Sequence, residues 1–466
     1  MMNYHMAIDI GASSGRLIVG FIENQIIKTQ EIYRFKNSPI NKDGHLIWDI
    51  KALFNHILQG LKKCKEQGIT ISTLAVDTWA VDYVLVDDEG NLCDEPYTYR
   101  DSRTDKVDNL FYAEIMSLYE LYKRNGIQKL KFNTIYQLFV QNKTTPDVFK
   151  KAKHLLMIPD YINYQLTGIA CSEYTNATTS QLVCTLNKDW DYELIDKLGL
   201  PRNIFKPLHM PGYKIGRLKD SIKDIIGYDF DVLMCASHDT ASAVVAAPMT
   251  GKDNVYLSSG TWSLIGIESY EPDSSLLSFE HNFTNEGGYD YRYRFLKNIM
   301  GLWVLQNLRK EQPSDTTFEM LYQMAQDGSG YKYVVDINNQ IFLAPQKMSQ
   351  AFVDYCSANN IPSPSNFNEI LFCAYNSLAH YYKTVIEEIE YVKNVKISTI
   401  NIVGGGSQDE FLNALIAKVT KRKIYCGPTE ATAIGNLCAQ MISSGEIADL
   451  QEARNLIVQS FNIKSI

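Results

Sequence analysis

Two stretches about 250 residues apart repeat one pattern, and this repetition constrains the fold more than any other feature of the chain. In the first, the apolar run Met6 to Ile10 ends at Gly11-Ala12-Ser13-Ser14-Gly15-Arg16 and resumes at Leu17 to Phe21. In the second, Asn254 to Leu257 ends at Ser258-Ser259-Gly260-Thr261 and resumes at Trp262 to Ile267. Each reads as a strand, a small polar tip and a return strand. A chain that uses this hairpin twice, with Ser-Ser-Gly in both tips, is predicted to be a duplicated, two-lobed α/β protein. Its 466 residues exceed what one core usually serves. The division is expected between 1–247 and 248–466, because Pro248 and Gly251 interrupt the periodicity there.

Other elements follow from spacing. Asp49 precedes a helical pattern with Leu53, Ile57 and Leu61 on one face, and Leu74 to Val76 resumes strand character. Tyr83 to Val86 with Asp88-Glu89-Gly90 predicts another hairpin, and Lys297 to Gln306 predicts a helix packing Ile299, Leu302, Trp303 and Leu305. The second half closes with a strand (Thr399 to Val403), the turn Gly404-Gly405-Gly406-Ser407, a helix from Glu410, a short strand at Ile424 and a helix from about Ala431 to Ser443. Ala433, Gly435 and Ala439 on that last helix would let another backbone or a flat ligand come close.

Five segments can carry chemistry. Phosphate binding wants several backbone N–H groups facing one anion, which glycine and serine permit. The tip Ala12 to Arg16 suits this, with Asp9 at the strand end able to hold Mg²⁺ through water and Arg16 adding a cation. An ordinary tight hairpin fits the same residues equally well. Ser258 to Thr261 is a second such tip. Gly404 to Ser407 is a third glycine turn, but not a dinucleotide fingerprint, since Asp409 stands in the last glycine's place. No Gly-x-x-x-x-Gly-Lys-Ser/Thr loop occurs, which excludes a P-loop kinase. In Ser237-His238-Asp239-Thr240-Ala241, Asp239 reads as a helix cap or as a base for a sugar hydroxyl, the cap being the plainer reading of the residues alone. Asp77 to Asp82 and Tyr99 to Arg103 offer planar polar and aromatic side chains of the sort that bind sugars, although Trp79 reads equally as core.

Composition narrows the class. A net charge of −8 and a pI near 5.6 argue against general affinity for nucleic acid or an anionic membrane. They leave ATP open, because fields beyond about 8 Å are screened and local amides and a metal decide its binding. No stretch reaches the ~20 apolar residues of a membrane span, and the start of the sequence lacks a signal-peptide pattern. Nine cysteines without a Cys-x-x-Cys pair point to a reduced cytoplasm, with Cys356 and Cys373 expected as two ordinary thiols. The eight histidines show no metal-ligand spacing.

Taken together, these segments resemble the FGGY carbohydrate kinases over nearly the whole chain, from Ala7 to about Gly445. The runs that carry the resemblance include Asp9 to Arg16, Val76 to Trp79, Tyr99 to Arg103, Glu173 to Thr179, Ala236 to Val244, Thr284 to Gly288, Leu296 to Trp303 and Ile402 to Ser407. The wording is similar to the branch of that family that phosphorylates L-rhamnulose at O1. The resemblance implies an actin-like ATPase (ribonuclease H-like) fold with a central cleft, Mg²⁺, and ATP as co-substrate. It implies ATP contacts at Ala12, Ser13, Ser14, Gly15, Arg16, Thr261, Gln306 and Gly405. It implies sugar contacts at Ala80, His238, Asp239, Thr240 and Asn298, with Asp239 as the base. Ala80 departs from the branch, which carries glycine there. The alternatives are a kinase for another sugar, such as fuculose or xylulose, and an actin-like nucleotide-gated protein without kinase activity; the resemblance leaves the oligomeric state open.

Overall fold

A computed structural model of the chain describes residues 2–251 and 253–466. Two compact units emerge. The first comprises Met1–Ala246, Glu268–Phe295 and Ala431–Ser460; the second comprises Ala247–Ile267, Leu296–Glu430 and Phe461–Ile466.

The sheet of the first unit runs in the order Lys214–Arg217, Asp231–Leu233, Thr73–Thr78, His5–Ile10, Ser14–Glu23, Ile26–Lys36. Asp231–Leu233, Thr73–Thr78 and His5–Ile10 are parallel, with Asp9 opposite Asp77. The hairpin strands and Lys214–Arg217 flank them antiparallel. His5–Ile10 and Thr73–Thr78 are buried at every position, as parallel strands covered on both faces must be. The helix Ile50–Glu66 lays Leu53, Ile57 and Leu61 into the core with Ile8 and Leu17, and Asp49 caps it by accepting from the Ala52 N–H at 2.9 Å. Because the three central strands point the same way, their C-terminal ends share one edge. Thr78 bridges His238 there, which brings the segment before Asp239 to the same edge.

The second unit repeats the plan. Its sheet contains, in order, Tyr293–Met300, Trp262–Ser269, Asn254–Ser259, Thr399–Val403, Lys423–Cys426 and Lys464–Ser465. Asn254–Ser259, Thr399–Val403 and Lys423–Cys426 are parallel, flanked antiparallel by Trp262–Ser269 and by Lys464–Ser465. Three parallel strands between antiparallel neighbours, led by a hairpin, is the plan of the first sheet as well. The duplication read from the two tips therefore extends through both sheets. The fold is a duplicated α/β architecture of the actin-like class.

One expectation is corrected. Lys297 to Gln306 is not one helix: a strand runs to Met300 and a helix begins at Trp303. Gly301 makes the break, because a Cβ there would lie 2.3 Å from Ser263 Oγ and 2.7 Å from the Ser263 backbone nitrogen. The apolar spacing around Ile299 and Leu302 suits either period, so local pattern alone misled. The hairpin expected at Tyr83–Val86 is present but short: Val86 bridges Leu92 antiparallel, the Asp87 N–H donates to the Asn91 carbonyl at 3.0 Å and the Cys93 N–H to the Leu85 carbonyl at 2.8 Å. The strand's longer pairing is antiparallel with His154–Met157.

The small residues of the helix Ala431–Ser443 serve a backbone. A Cβ on Gly435 would sit 1.8 Å from the carbonyl oxygen of Ser242 in the helix Asp239–Val245. All nine cysteines are free thiols, and Cys356 and Cys373 are both buried. Among the described residues, no helix is long and apolar enough to cross a membrane.

Candidate functional site

In the first unit two strand ends and one helix start bring carboxylates within electrostatic reach of one another: Asp9, Asp77 and Asp239. Asp9 is 5% exposed and is held by Arg16, whose Nε donates to Asp9 Oδ2 at 2.8 Å and whose Nη2 lies 2.7 Å from it. Asp77, opposite Asp9 in the ladder, is fully buried and accepts from Asn436 Nδ2 at 2.6 Å. Its other oxygen has no hydrogen-bond partner. Burial, then the nearby charge of Asp9, pushes the Asp77 carboxyl well above its ordinary range, and Asp239 adds to the effect. The tip beyond Asp9 is braced by Asn37, whose Nδ2 donates to the Gly11 carbonyl at 2.9 Å. A Cβ on Gly15 would meet the Phe35 ring at 2.1 Å, so a larger residue there would have to displace that ring, whereas Ser13 stands exposed at the tip.

Asp239 is the first residue of its helix, with His238 as the cap position. Its side chain keeps 32% of its surface open. Burial raises its carboxyl above the ordinary aspartate range, His238 partly opposes this, and the Asp9 charge reinforces it. The Thr240 N–H donates to Asp239 Oδ1 at 2.6 Å, and His238 Nε2 lies 3.5 Å from the same oxygen. Behind them Glu173, completely buried, takes the Ser237 N–H at 3.1 Å, the Ser237 hydroxyl at 2.6 Å and the Thr175 hydroxyl at 2.6 Å. That carboxylate ties the strand end before Asp239 to the start of the helix Tyr174–Thr178. The segment therefore serves both as a helix start and as a charged, partly open edge.

The loop at Ala80 is gripped from its neighbours. The Val81 carbonyl accepts from the Thr134 hydroxyl at 2.7 Å and from Gln137 Nε2 at 3.2 Å. Val81 itself adopts a left-handed φ of 66°, unusual for a β-branched residue and held by these contacts. Trp79 is core, as one of its two sequence readings had it: its Nε1 and that of Trp48 both donate to the buried Asp82, at 2.9 and 2.7 Å, and the rings pack with centroids 4.1 Å apart. Burial lifts the Asp82 carboxyl to about 6 in spite of these donors. A raised acid keeps its proton in the folded state where the unfolded chain has lost it, so stability present below about pH 4 is lost as pH rises through about 6. A displacement of that size corresponds to about 3 kcal/mol. The stability of the protein relative to its Asp82→Asn variant, followed by urea unfolding from pH 4 to 7, should therefore fall by roughly that amount.

In the second unit, Thr261 sits on the tip between Asn254–Ser259 and Trp262–Ser269, where its carbonyl accepts from the Trp303 N–H at 3.1 Å. The same turn directs the Gly260 carbonyl to the Leu302 N–H at 3.0 Å. Gln306 lies one turn into the helix Trp303–Lys310, which these contacts fasten to the tip. The glycine turn packs on the tip from the other side: a Cβ on Gly406 would lie 2.0 Å from Ser259 Oγ, whereas Gly405 faces open space. Thr261, Gln306 and Gly405 thus gather around one tip. Asn298 lies on the strand Tyr293–Met300, partly exposed, and not on the helix expected for it.

Several residues at the first site escaped selection from sequence. Arg294 is a fully buried cation on the strand Tyr293–Met300, and Glu286 is its partner at 3.0 Å. Asn436 and Gln440, which link Asp77 to the sheet, lie one helical turn apart in the largely apolar middle of a helix. Polar residues at that spacing on such a helix were the available signal.

Models of the N-terminal and C-terminal domains of the FGGY family of carbohydrate kinases match residues 4–246 and 255–444. A rhamnulokinase of Halalkalibacterium halodurans is 46% identical over 99% of this chain and 98% of its own. The rhamnulokinase of Bacillus subtilis strain 168 is 41% identical over 99% of this chain and 94% of its own. Among solved structures, the xylulose kinase of Lactobacillus acidophilus superposes with a TM-score of 0.80 at 16% identity, covering 100% of this chain and 93% of that one. That likeness speaks to the fold alone. With both family models matched across most of its length, and relatives this similar from end to end, the chain belongs to the FGGY family of carbohydrate kinases.

Proposed function

We propose that this sugar kinase transfers the γ-phosphoryl group of ATP to O1 of L-rhamnulose, giving L-rhamnulose 1-phosphate and ADP. The convergence of Asp239 with Asp9 at one sheet edge carries the reading: one carboxylate for the proton of the sugar hydroxyl, another for the phosphate side. The names of the relatives that match end to end support L-rhamnulose as the acceptor.

In this reading Ala80, His238, Asp239, Thr240 and Asn298 contact the sugar, and Ala12 to Arg16, Thr261, Gln306 and Gly405 contact ATP. Residues 1–247 would serve mainly the sugar and supply one phosphate tip, and 248–466 mainly the nucleotide. Asp239 orients the hydroxyl and takes its proton late, since even a raised carboxylate is a far weaker base than an alkoxide. With a loose transition state, positioning and charge neutralisation supply most of the acceleration.

The residues at the edge fit a Mg²⁺ ion that keeps most of its water. Among the described residues no group of three or more His, Cys, Asp or Glu side chains forms a metal cage. Yet Asp77 carries an unpartnered buried oxygen beside Asp9, in a region crowded with negative charge. Asp9 would hold the ion through water, and the bound ion would neutralise charge on the triphosphate. The nine free thiols suit the cytoplasm as the place of action.

A panel of L-rhamnulose, fuculose and xylulose with Mg-ATP, read by coupled ADP release and by NMR of the product, tests the acceptor. L-Rhamnulose should lead in kcat/KM by at least about tenfold. A higher value for another sugar, or phosphate found elsewhere than on O1, would overturn the assignment.

A further inference from the structure

Behind the start of the Asp239 helix lies a buried ion pair that the mechanism above does not use. Arg294 is fully buried; its Nε donates to the Gly287 carbonyl at 3.0 Å, and its Nη2 lies 3.0 Å from Glu286 Oε2. The same Nη2 lies 3.0 Å from Nδ1 of His238. Its Nη1 is buried with no hydrogen-bond partner. Such a pair is weak as a stabilising device, because desolvation consumes most of the Coulombic gain and an unpartnered N–H adds further cost. Its value lies in what it does to the imidazole.

A guanidinium has five N–H donors and no acceptor. At 3.0 Å from Nη2, Nδ1 of His238 must present its lone pair, so the single proton of the neutral ring sits on Nε2. That nitrogen is 3.5 Å from Asp239 Oδ1. The groups facing the imidazole are Arg294, Asp239 and Glu286 Oε2, the last 3.4 Å from Nδ1. Glu286 could accept a proton from Nδ1, but Arg294 is closer and would then oppose an N–H and a positive ring. Charge and donor geometry agree on one tautomer.

We propose that Arg294, balanced by Glu286, is a positioning residue of the kinase: it holds His238 as an Nε2–H donor beside Asp239. This deepens the proposed function and rests on it for the sugar. Asp239 takes the proton of O1, and a donor a few ångströms from it reaches the oxygen on the neighbouring carbon of the acceptor. A ketose presents its C2 oxygen there as an acceptor. With the opposite tautomer the ring would turn a lone pair towards a carboxylate, and the two would repel.

Imidazole ¹⁵N NMR on the full-length protein without sugar tests the tautomer, with the His238 signal assigned by its loss in His238→Gln. At neutral pH Nε2 should be protonated and Nδ1 bare; an Nδ1–H ring or an imidazolium overturns the inference and leaves the kinase reading untouched. In Arg294→Gln the tautomer preference should weaken and KM for L-rhamnulose rise about tenfold, as expected for losing a hydrogen bond to a charged group. KM for ATP should stay unchanged, and Arg294→Lys should recover part of the loss. Equal rises in both KM values would mark Arg294 as merely structural and sink the positioning role. If Arg294→Gln does not fold, the wild-type spectrum still decides. A wild-type protein inactive on every ketose would refute the proposed function, whatever the tautomer.

Discussion

Asp239→Asn is expected to lower kcat by at least about 10²-fold with little change in the affinity for ATP. Asparagine keeps the size of the side chain and its ability to accept the Thr240 N–H at Oδ1. The helix start therefore survives, and what is lost is a group that can carry a proton away. The raised carboxyl of Asp239 strengthens the expectation, because burial and the charge of Asp9 bring it closer to the working pH and make it a better base than an ordinary aspartate. Coupled turnover at saturating sugar and ATP, beside a thermal melt that establishes an intact fold, provides the measurement. Turnover within a few-fold of wild type would remove Asp239 from the chemistry and leave it as a helix residue.

Gly435→Ala is expected to act on both stability and rate. The added methyl would lie 1.8 Å from the Ser242 carbonyl oxygen and 2.7 Å from its carbon. Both are backbone atoms, so no side chain can swing aside and the two helices must separate. Overpacking of this kind costs about 1–3 kcal/mol, more than alanine's better helix propensity returns. The helix that must shift begins at Asp239. A displacement of about 1 Å at a reacting group can cost 10²-fold. The variant should therefore melt at lower temperature and lose kcat disproportionately, at fully folded temperatures, relative to a destabilised variant elsewhere. Unchanged stability would mean that the close approach of the two helices is not maintained in solution.

The duplicated sheets were legible in the sequence because each is announced by a local signal: a buried run ending at a Ser/Gly tip. Asp9, the tip Ala12 to Arg16 and Asp239 were legible for the same reason, since each lies where apolar periodicity stops. The strand–turn–helix at Lys297 to Gln306 was not. Its break depends on Gly301 meeting Ser263, a contact between positions 38 residues apart that no window of local spacing contains. The partner of Tyr83–Val86 lies 71 residues further on in His154–Met157, and is hidden for the same reason. Arg294 was beyond reach of patterning altogether: a charged residue on a strand reads as exposed until another strand covers it. Glu173 shows the intermediate case. Its run resembled the family, but its grip on Ser237 is visible only in three dimensions.

The route of the chain has a consequence for biosynthesis. The first unit is completed by Ala431–Ser460, which enters it only after most of the second unit, through Glu430, has been threaded. From that returning segment Gln440 donates to the Met6 carbonyl, and Glu446 pairs with the buried His5 on the opening strand. A nascent polypeptide emerging from the ribosome pairs both edges of its first strand early, but lacks the helix that packs on that strand until Ala431–Ser460 has been made. A chain truncated before Ala431 is therefore expected to leave this sheet uncovered and unable to mature as an independent amino-terminal half, which limited proteolysis of the truncated chain would report.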